Sequence, residues 1–294
     1  MASLKEVRTR IKSVKSTQQI TKAMKMVAAS RLRKAQDAIL QLRPFTDKLN
    51  EILQTVIKAA EESSSNPYAE IRDIERVLLV PITSDRGLCG AFNGNVIKRT
   101  LLLIEEEYPI QYNNDQVYIM PIGMKGFDYF KKRGYNVIHD FSKVFTQLSF
   151  NKVREAADFA MEGFLNEEFD KVVLIYNEFK NVATQILCTE PYLPLSDANE
   201  NNNDKALIDY IYEPSKTEIK KELIPQSLHI QFYKAILESN ASEHGARMTA
   251  MEVATENAEE LLGDLQIIYN RTRQAAITKE ILDIVGGAEA LAAE

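Results

Sequence analysis

Helix breakers are scarce at both ends of this chain. No glycine precedes Gly87, Pro44 is the only proline before Pro67, and no proline follows Pro225. Glycine and proline are the residues that most weaken a helix interior, so their absence predicts two long, nearly uninterrupted terminal helices. Tryptophan is missing altogether. Cys89 and Cys188 are the only cysteines, with neither CxxC spacing nor the numbers for a disulfide framework, which points to a reducing compartment. The longest apolar runs, such as 77–82 and 101–104, are far too short to span a bilayer. An apolar core of the kind found in secretory signals is also lacking.

What is present is a polarity of charge. The net charge of −6 hides thirteen Lys/Arg against four Asp/Glu in residues 1–60, and five against eleven in residues 226–294. A basic helix and an acidic helix lying side by side would attract each other. The first 30 residues, with Glu6 as their only acid, also resemble a transit peptide in composition.

The N-terminal stretch carries a heptad stripe. Leu4, Val7, Ile11, Val14, Gln18, Thr21, Lys25, Ala28, Leu32, Ala35, Ile39 and Leu42 are spaced alternately by three and four. Its middle is polar or small, and there a second apolar stripe runs one position away through Ile20, Met24 and Val27. That second stripe is either a wider buried face or a surface that meets something other than the partner helix. Helix is expected over about 3–58, kinked or broken at Pro44 and ended by the Ser63, Ser64, Ser65, Asn66, Pro67 run.

Strand and helix signals alternate in the middle. Strands are expected at 76–83, 116–122, 136–141, 171–176 and 184–188, with an edge strand at 206–212 after an acidic, Asn-rich loop at 196–204. Helices are expected at 93–107, 127–133 and 153–165. This rhythm predicts a small, mostly parallel, Rossmann-like sheet covered by helices. Helix resumes from Leu228. Met248, Met251, Thr255, Ala258, Leu262, Leu265, Tyr269, Thr272 and Ala276 again alternate by three and four. Beyond Ala276 the stripe dissolves, and Ile277, Ile281, Leu282, Ile284 and Val285 are apolar nearly all round, before Gly286 and Gly287 weaken the tip. The fold class expected is thus a mixed α+β and α/β one: terminal helices in a long antiparallel coiled coil, plus an α/β domain. The boundaries expected are 1–62, 63–225 and 226–294. Parallel coiled coils in a homodimer are the other arrangement that the pattern allows.

Candidate chemistry is thin. Ser84, Asp85, Arg86, Gly87, Leu88, Cys89, Gly90, Ala91, Phe92 and Asn93 join a strand to a helix, a place where backbone N–H groups attract anions. The spacings GxGxxG and GxxxxGK[ST] are absent, so Asp85, Arg86, Gly87 and Gly90 read equally as a tight structural turn. Gly123, Met124, Lys125, Gly126 has the same form. His139, His229 and His244 are scattered, no His/Cys cluster has ligand spacing, and the basic helix has Phe45 as its lone aromatic. No cofactor, metal, catalytic residue or nucleic-acid partner is therefore expected.

Four stretches carry a resemblance. They are Ile20-Thr21-Lys22-Ala23-Met24-Lys25-Met26-Val27-Ala28-Ala29, the Ser84 to Asn93 loop, Ser242-Glu243-His244-Gly245-Ala246-Arg247-Met248, and Ile277-Thr278-Lys279-Glu280-Ile281-Leu282-Asp283-Ile284-Val285-Gly286-Gly287-Ala288. In that order they resemble the gamma subunits of F-type ATP synthases. The middle, about 95–225, is similar in layout more than in residues.

The resemblance implies a rotor: paired helices forming a shaft inside a head of alternating α and β subunits, with the α/β domain binding the epsilon subunit and the ring of c subunits. Proton flow would turn the shaft and drive catalytic sites on β. It implies stator contacts at Ile20, Lys22, Met24, Lys25, Val27, Arg273, Gln274, Thr278 and Glu280, and an apolar bearing tip at Ile281, Leu282, Ile284 and Val285. Gly245 stands where the family commonly has alanine, and the dithiol insertion of chloroplast relatives is missing. The family motif begins at the first residues, so no presequence is expected. A peripheral place on a bacterial inner membrane is expected, or on the inner membrane of an organelle for a mature chain. A Rossmann-like nucleotide-binding enzyme with a coiled-coil dimerisation arm is the competing reading, and a coiled-coil scaffold without a motor is a third.

Overall fold

The computed structural model describes residues 3–59, 66–195 and 216–292. The expected loop at 196–204 and edge strand at 206–212 lie outside the described residues, as does the serine run expected to end the first helix. Two compact units emerge, one of residues 1–27 with 248–294 and one of residues 28–247.

The larger unit is built on a five-stranded sheet. Its strands are β1 (Val77–Pro81), β2 (Val117–Ile119), β3 (Asn136–Val137), β4 (Lys171–Phe179) and β5 (Gln185–Leu193), in the order β3-β2-β1-β4-β5. The β1·β2, β2·β3 and β1·β4 pairs are parallel, and β4·β5 is antiparallel. The helices are α1 (Leu4–Ala59), α2 (Phe92–Glu106), α3 (Pro109–Asn113), α4 (Met124–Lys132), α5 (Phe150–Leu165) and α6 (Lys216–Ala292).

Every residue of β1 is buried, as a continuous apolar run in a two-sided sheet demands. Leu78, Val80 and Ile82 point into one core with α5 and α6, through Ala156, Ala160, Phe164, Leu228 and Phe232. Val77 and Leu79 point into the other, against Val96 and Leu103 of α2 and Phe130 of α4. Each such side chain contributes about 1.5–3 kcal/mol by burial, so the sheet is the anchor of this unit.

Several boundaries differ from expectation. β3 stops at Val137 rather than 141, because the chain turns at once, with Ser142 N–H donating to the His139 carbonyl. β5 runs on to Leu193, well past Cys188, because its ladder with β4 continues to Val172. α6 starts at Lys216, twelve residues before Leu228, and passes through Pro225. Proline inside a helix costs about 3 kcal/mol, but Ile224 and Leu228 on either side are both buried in the sheet core. Their burial offsets the loss. The helix also continues through Gly286 and Gly287 to Ala292, and α1 continues unbroken through Pro44.

The smaller unit is an antiparallel helix pair. Thr21 meets Thr255 and Lys25 meets Glu252, so sequence numbers rise on one helix as they fall on the other. Val7, Thr21, Met251, Ala258 and Leu265 are buried along the seam, and Leu4, Ile11, Val14, Gln18, Thr255, Leu262, Tyr269 and Thr272 are half-buried. These are the heptad positions. The pairing is therefore antiparallel within one chain, and the parallel homodimer is not needed to cover the stripe.

Candidate functional site

Three surfaces bear on function. The first is the seam's uncovered flank. Ile20 and Val27 are 56% and 54% exposed, Lys22 is exposed and Met24 half-buried. Ile20, Met24 and Val27 share one face of α1, since four residues make about one turn and seven about two, whereas Lys22 projects from the other side. Lys25 is half-buried, and its ammonium is engaged by the Glu252 carboxylate of α6 at 2.5 Å. Met26, which sequence reasoning did not single out, is exposed beside them.

The second is the end of α6. The Thr21–Thr255 register brings Leu4, the first residue of α1, opposite Thr272. Beyond Thr272 every side chain through Ala288 is exposed. Arg273, Gln274, Thr278 and Glu280 lie there, with Thr278 Oγ1 donating to the Gln274 carbonyl at 3.0 Å. Ile277, Ile281, Leu282, Ile284 and Val285 lie there too, large apolar groups without cover.

The third is the strand-end loop of the larger unit. Ser84 N–H donates to Asn93 Oδ1 at 2.9 Å, and Ser84 Oγ donates to the Arg86 carbonyl at 2.7 Å. Asp85 Oδ1 accepts from Met124 N–H at 3.2 Å and so caps α4. Gly90 takes φ = 60°, where glycine is at home. Gly87 keeps a negative φ, and it is Leu88 that adopts φ = 64°. Gly123 has no alternative: φ is 103°, and a Cβ would stand 2.1 Å from the Thr83 carbonyl oxygen.

A doubly wound sheet binds ligands beyond the carboxyl ends of its strands, where strand order reverses. Here that point lies between β1 and β4, and α6 fills it. Ser239 Oγ donates to the Ile82 carbonyl at 3.4 Å, and Glu238 Oε2 accepts from Phe179 N–H at 3.1 Å. Just over two turns on from Ser239, Arg247 donates to the Arg86 carbonyl at 2.9 Å and the Gly87 carbonyl at 3.3 Å. Its other nitrogen pairs with the buried Glu243 carboxylate. Sequence reasoning missed this clasp. The signal available was Glu243 and Arg247 at i,i+4, but backbone acceptors leave no mark in a sequence.

Burial pushes the Glu243 carboxyl up, against the opposing pull of Arg247. Burial, then Arg247 and Arg31, push His244 down to about 4, so it is neutral at pH 7. Burial also pushes the Cys89 thiol up, which is the environment of an inert cysteine and not of a nucleophile. Among the described residues, no group of His, Cys, Asp and Glu could hold a metal ion, and no helix is long and apolar enough to cross a membrane.

These features define a class: an antiparallel coiled-coil protein whose Rossmann-like domain has its ligand crevice closed by its own helix. Comparison with known proteins narrows it. The sequence model of a family described as ATP synthase matches residues 3–291. The ATP synthase gamma chain of Cytophaga hutchinsonii is 55% identical over 293 residues, covering 99% of both chains. That of Chloroherpeton thalassium is 51% identical, again over 99% of both. The chain belongs to the family of ATP synthase gamma chains.

Solved structures agree. The Tetrahymena thermophila mitochondrial ATP synthase central stalk and c-ring structure holds a chain with a TM-score of 0.56 and 26% identity, covering 80% of this chain and 99% of that one. The fold also matches a chain of the Euglena gracilis mitochondrial ATP synthase, with a TM-score of 0.66 and 24% identity over 98% and 94%.

Proposed function

We propose that this chain is the central rotor shaft of an F-type ATP synthase. It couples proton flow through a ring of c subunits to the catalytic sites on β by turning inside the head of α and β subunits. The observation that carries this reading is the end of α6. Beyond Thr272 it outruns its partner helix by roughly 20 residues, or roughly 30 Å, and exposes Ile277, Ile281, Leu282, Ile284 and Val285. Apolar surface of this extent on a helix needs cover from another chain. An apolar sleeve suits a bearing, because dispersion and hydrophobic contacts have no directional lock.

The remaining roles follow from this reading. Ile20, Met24 and Val27 form a face toward the β subunits, with Lys22 guided by acidic loops that take turns as partners. Lys25 divides its charge between such loops and Glu252. Arg273, Gln274, Thr278 and Glu280 form a polar catch near the tip. Residues 63–225 dock on the epsilon subunit and the c-ring, and residues 1–62 and 226–294 supply the shaft. The chain contributes no catalytic side chain of its own, and it sits peripherally at the cytoplasmic face of a bacterial inner membrane, or at an organellar inner membrane. The nucleotide-binding enzyme is disfavoured, because Ser239, Glu238 and Arg247 occupy the crevice where a phosphate would lie.

Affinity purification of the tagged chain from cells tests this. Co-purification of α, β and epsilon subunits with ATPase activity is the expected result. Recovery of a self-dimer alone would sink the reading.

A further inference from the structure

Pro44 carries no N–H, so the Leu40 carbonyl lacks the donor it would meet one turn on, and α1 is weakened at this turn. The preceding residue, Arg43, is the one that reaches across. Its Nη2 stands 4.0 Å from Oε1 of Glu238 on α6. The Glu238 side chain is 2% exposed, and its other oxygen accepts from Phe179 N–H at the end of β4. Three elements of the larger unit thus converge on one buried carboxylate. Beside it lies a cavity of about 240 Å³, lined by Ile39, Leu42, Thr46 and Leu237 together with Glu178 and Lys234.

The geometry is that of a tie under light load. At 4.0 Å the two charges attract without a hydrogen bond. The Arg43 side chain is 58% exposed, so solvent is open to it if the attraction ends. We propose that Arg43 and Glu238 form a proton-sensitive brace on the proline-weakened turn of α1. Ionised, Glu238 draws Arg43 over the cavity and holds the turn against α6. Protonated, it keeps the Phe179 hydrogen bond through its carbonyl oxygen and releases Arg43.

The charged groups around Glu238 bear on where this happens. Burial pushes its carboxyl above the usual carboxylate range, and Glu178 of β4 pushes the same way. The Phe179 N–H, Arg43 of α1 and Lys234 of α6 oppose. A carboxyl raised in the folded chain binds its proton more tightly there than in the unfolded one. Its contribution to stability is therefore present at low pH and lost as pH rises through the raised value. Acid releases the brace without unfolding the joint at this group, which is what distinguishes a switch from acid denaturation.

Hydrogen exchange of the α1 amides around Arg43 in the full chain, corrected for intrinsic rates, tests the brace. The unmutated chain should open this turn about two- to fivefold more readily near pH 4.5 than near pH 8, the size expected for an ion pair with one exposed partner. Arg43→Gln and Glu238→Gln should each remove the pH response. Arg43→Gln alters an exposed side chain, so it decides the matter even if Glu238→Gln fails to fold. Equal opening at both pH values in the unmutated chain overturns the proposal, as does a response that survives Arg43→Gln.

Discussion

Thr21 Oγ1 and Thr255 Oγ1 face each other across the helix seam at 2.8 Å, with one proton too few for the contacts they make. Thr255 also reaches the Met251 carbonyl at 2.7 Å, and Thr21 the Gln18 carbonyl at 3.0 Å. Two hydroxyl protons serve three contacts, so one hydroxyl must donate to the other and forgo its own carbonyl. The pair fixes register more than it adds stability.

Replacing both threonines by valine should therefore leave the seam as stable as before, or more so, because two partners are removed together. Replacing Thr255 alone should cost about 1 kcal/mol. Urea denaturation of the two variants distinguishes them. A double variant weaker than the single one would contradict the proton count.

Arg247 is the next test. Removing it strands the buried Glu243 carboxylate and frees the Arg86 and Gly87 carbonyls. Arg247→Ala should cost about 3–5 kcal/mol, the range for breaking a buried pair at one end. Glu243→Leu combined with Arg247→Met should cost less than Arg247→Ala alone. If the double replacement proves the worse, the clasp is stabilising as a pair and the desolvation argument fails.

His244 sets a pH dependence. Its folded value of about 4 lies below the unfolded one, so between about 6.5 and 4 the unfolded chain holds more protons. Stability is lost at this group as pH falls through that window, by an amount of order 2 kcal/mol. Glu243 and Glu238, raised instead of lowered, act in the opposite sense. The measurement is thus the difference between the unmutated chain and His244→Gln. That difference should change across pH 6.5 to 4 and be flat above it.

Gly245 pits two effects against each other. Alanine would gain about 1 kcal/mol in helix propensity. Its Cβ would stand 3.3 Å from the Phe179 ring, so that ring must yield by a few tenths of an ångström. Gly245→Ala alone should change stability by less than about 1 kcal/mol. In a Phe179→Leu background the same change should stabilise by about 1 kcal/mol. Equal effects in both backgrounds would show that Phe179 is not what keeps the position small.

The heptad stripe of α1 was legible because periodicity survives folding. Ala28, Leu32, Ala35 and Ile39 stand in the sequence at the spacing at which the structure buries them. The buried strand β1 was legible for a related reason, an apolar run bounded by turn residues. The start of α6 was not. Pro225 is a strong local signal for a break, and it loses only to the burial of Ile224 and Leu228, which no local pattern announces. The Arg247 clasp was hidden because its acceptors are main-chain carbonyls 160 and 161 residues away. The uncovered end of α6 was visible as an apolar surround at Ile281 and Ile284. The point where cover ceases, at Thr272, needed the register of both helices.

That uncovered end has a thermodynamic dependence. A free helix of some 20 residues is marginal in water, because closing the first turn is costly and each further turn gains little. Among the described residues, those past Thr272 have no neighbouring helix to repay that first step. They inherit it from the paired stretch behind them, as a crystal grows from a seed. A single chain cut at the last covered turn would leave a peptide that melts. The same peptide left attached stays helical, and reaches whatever receives it already ordered.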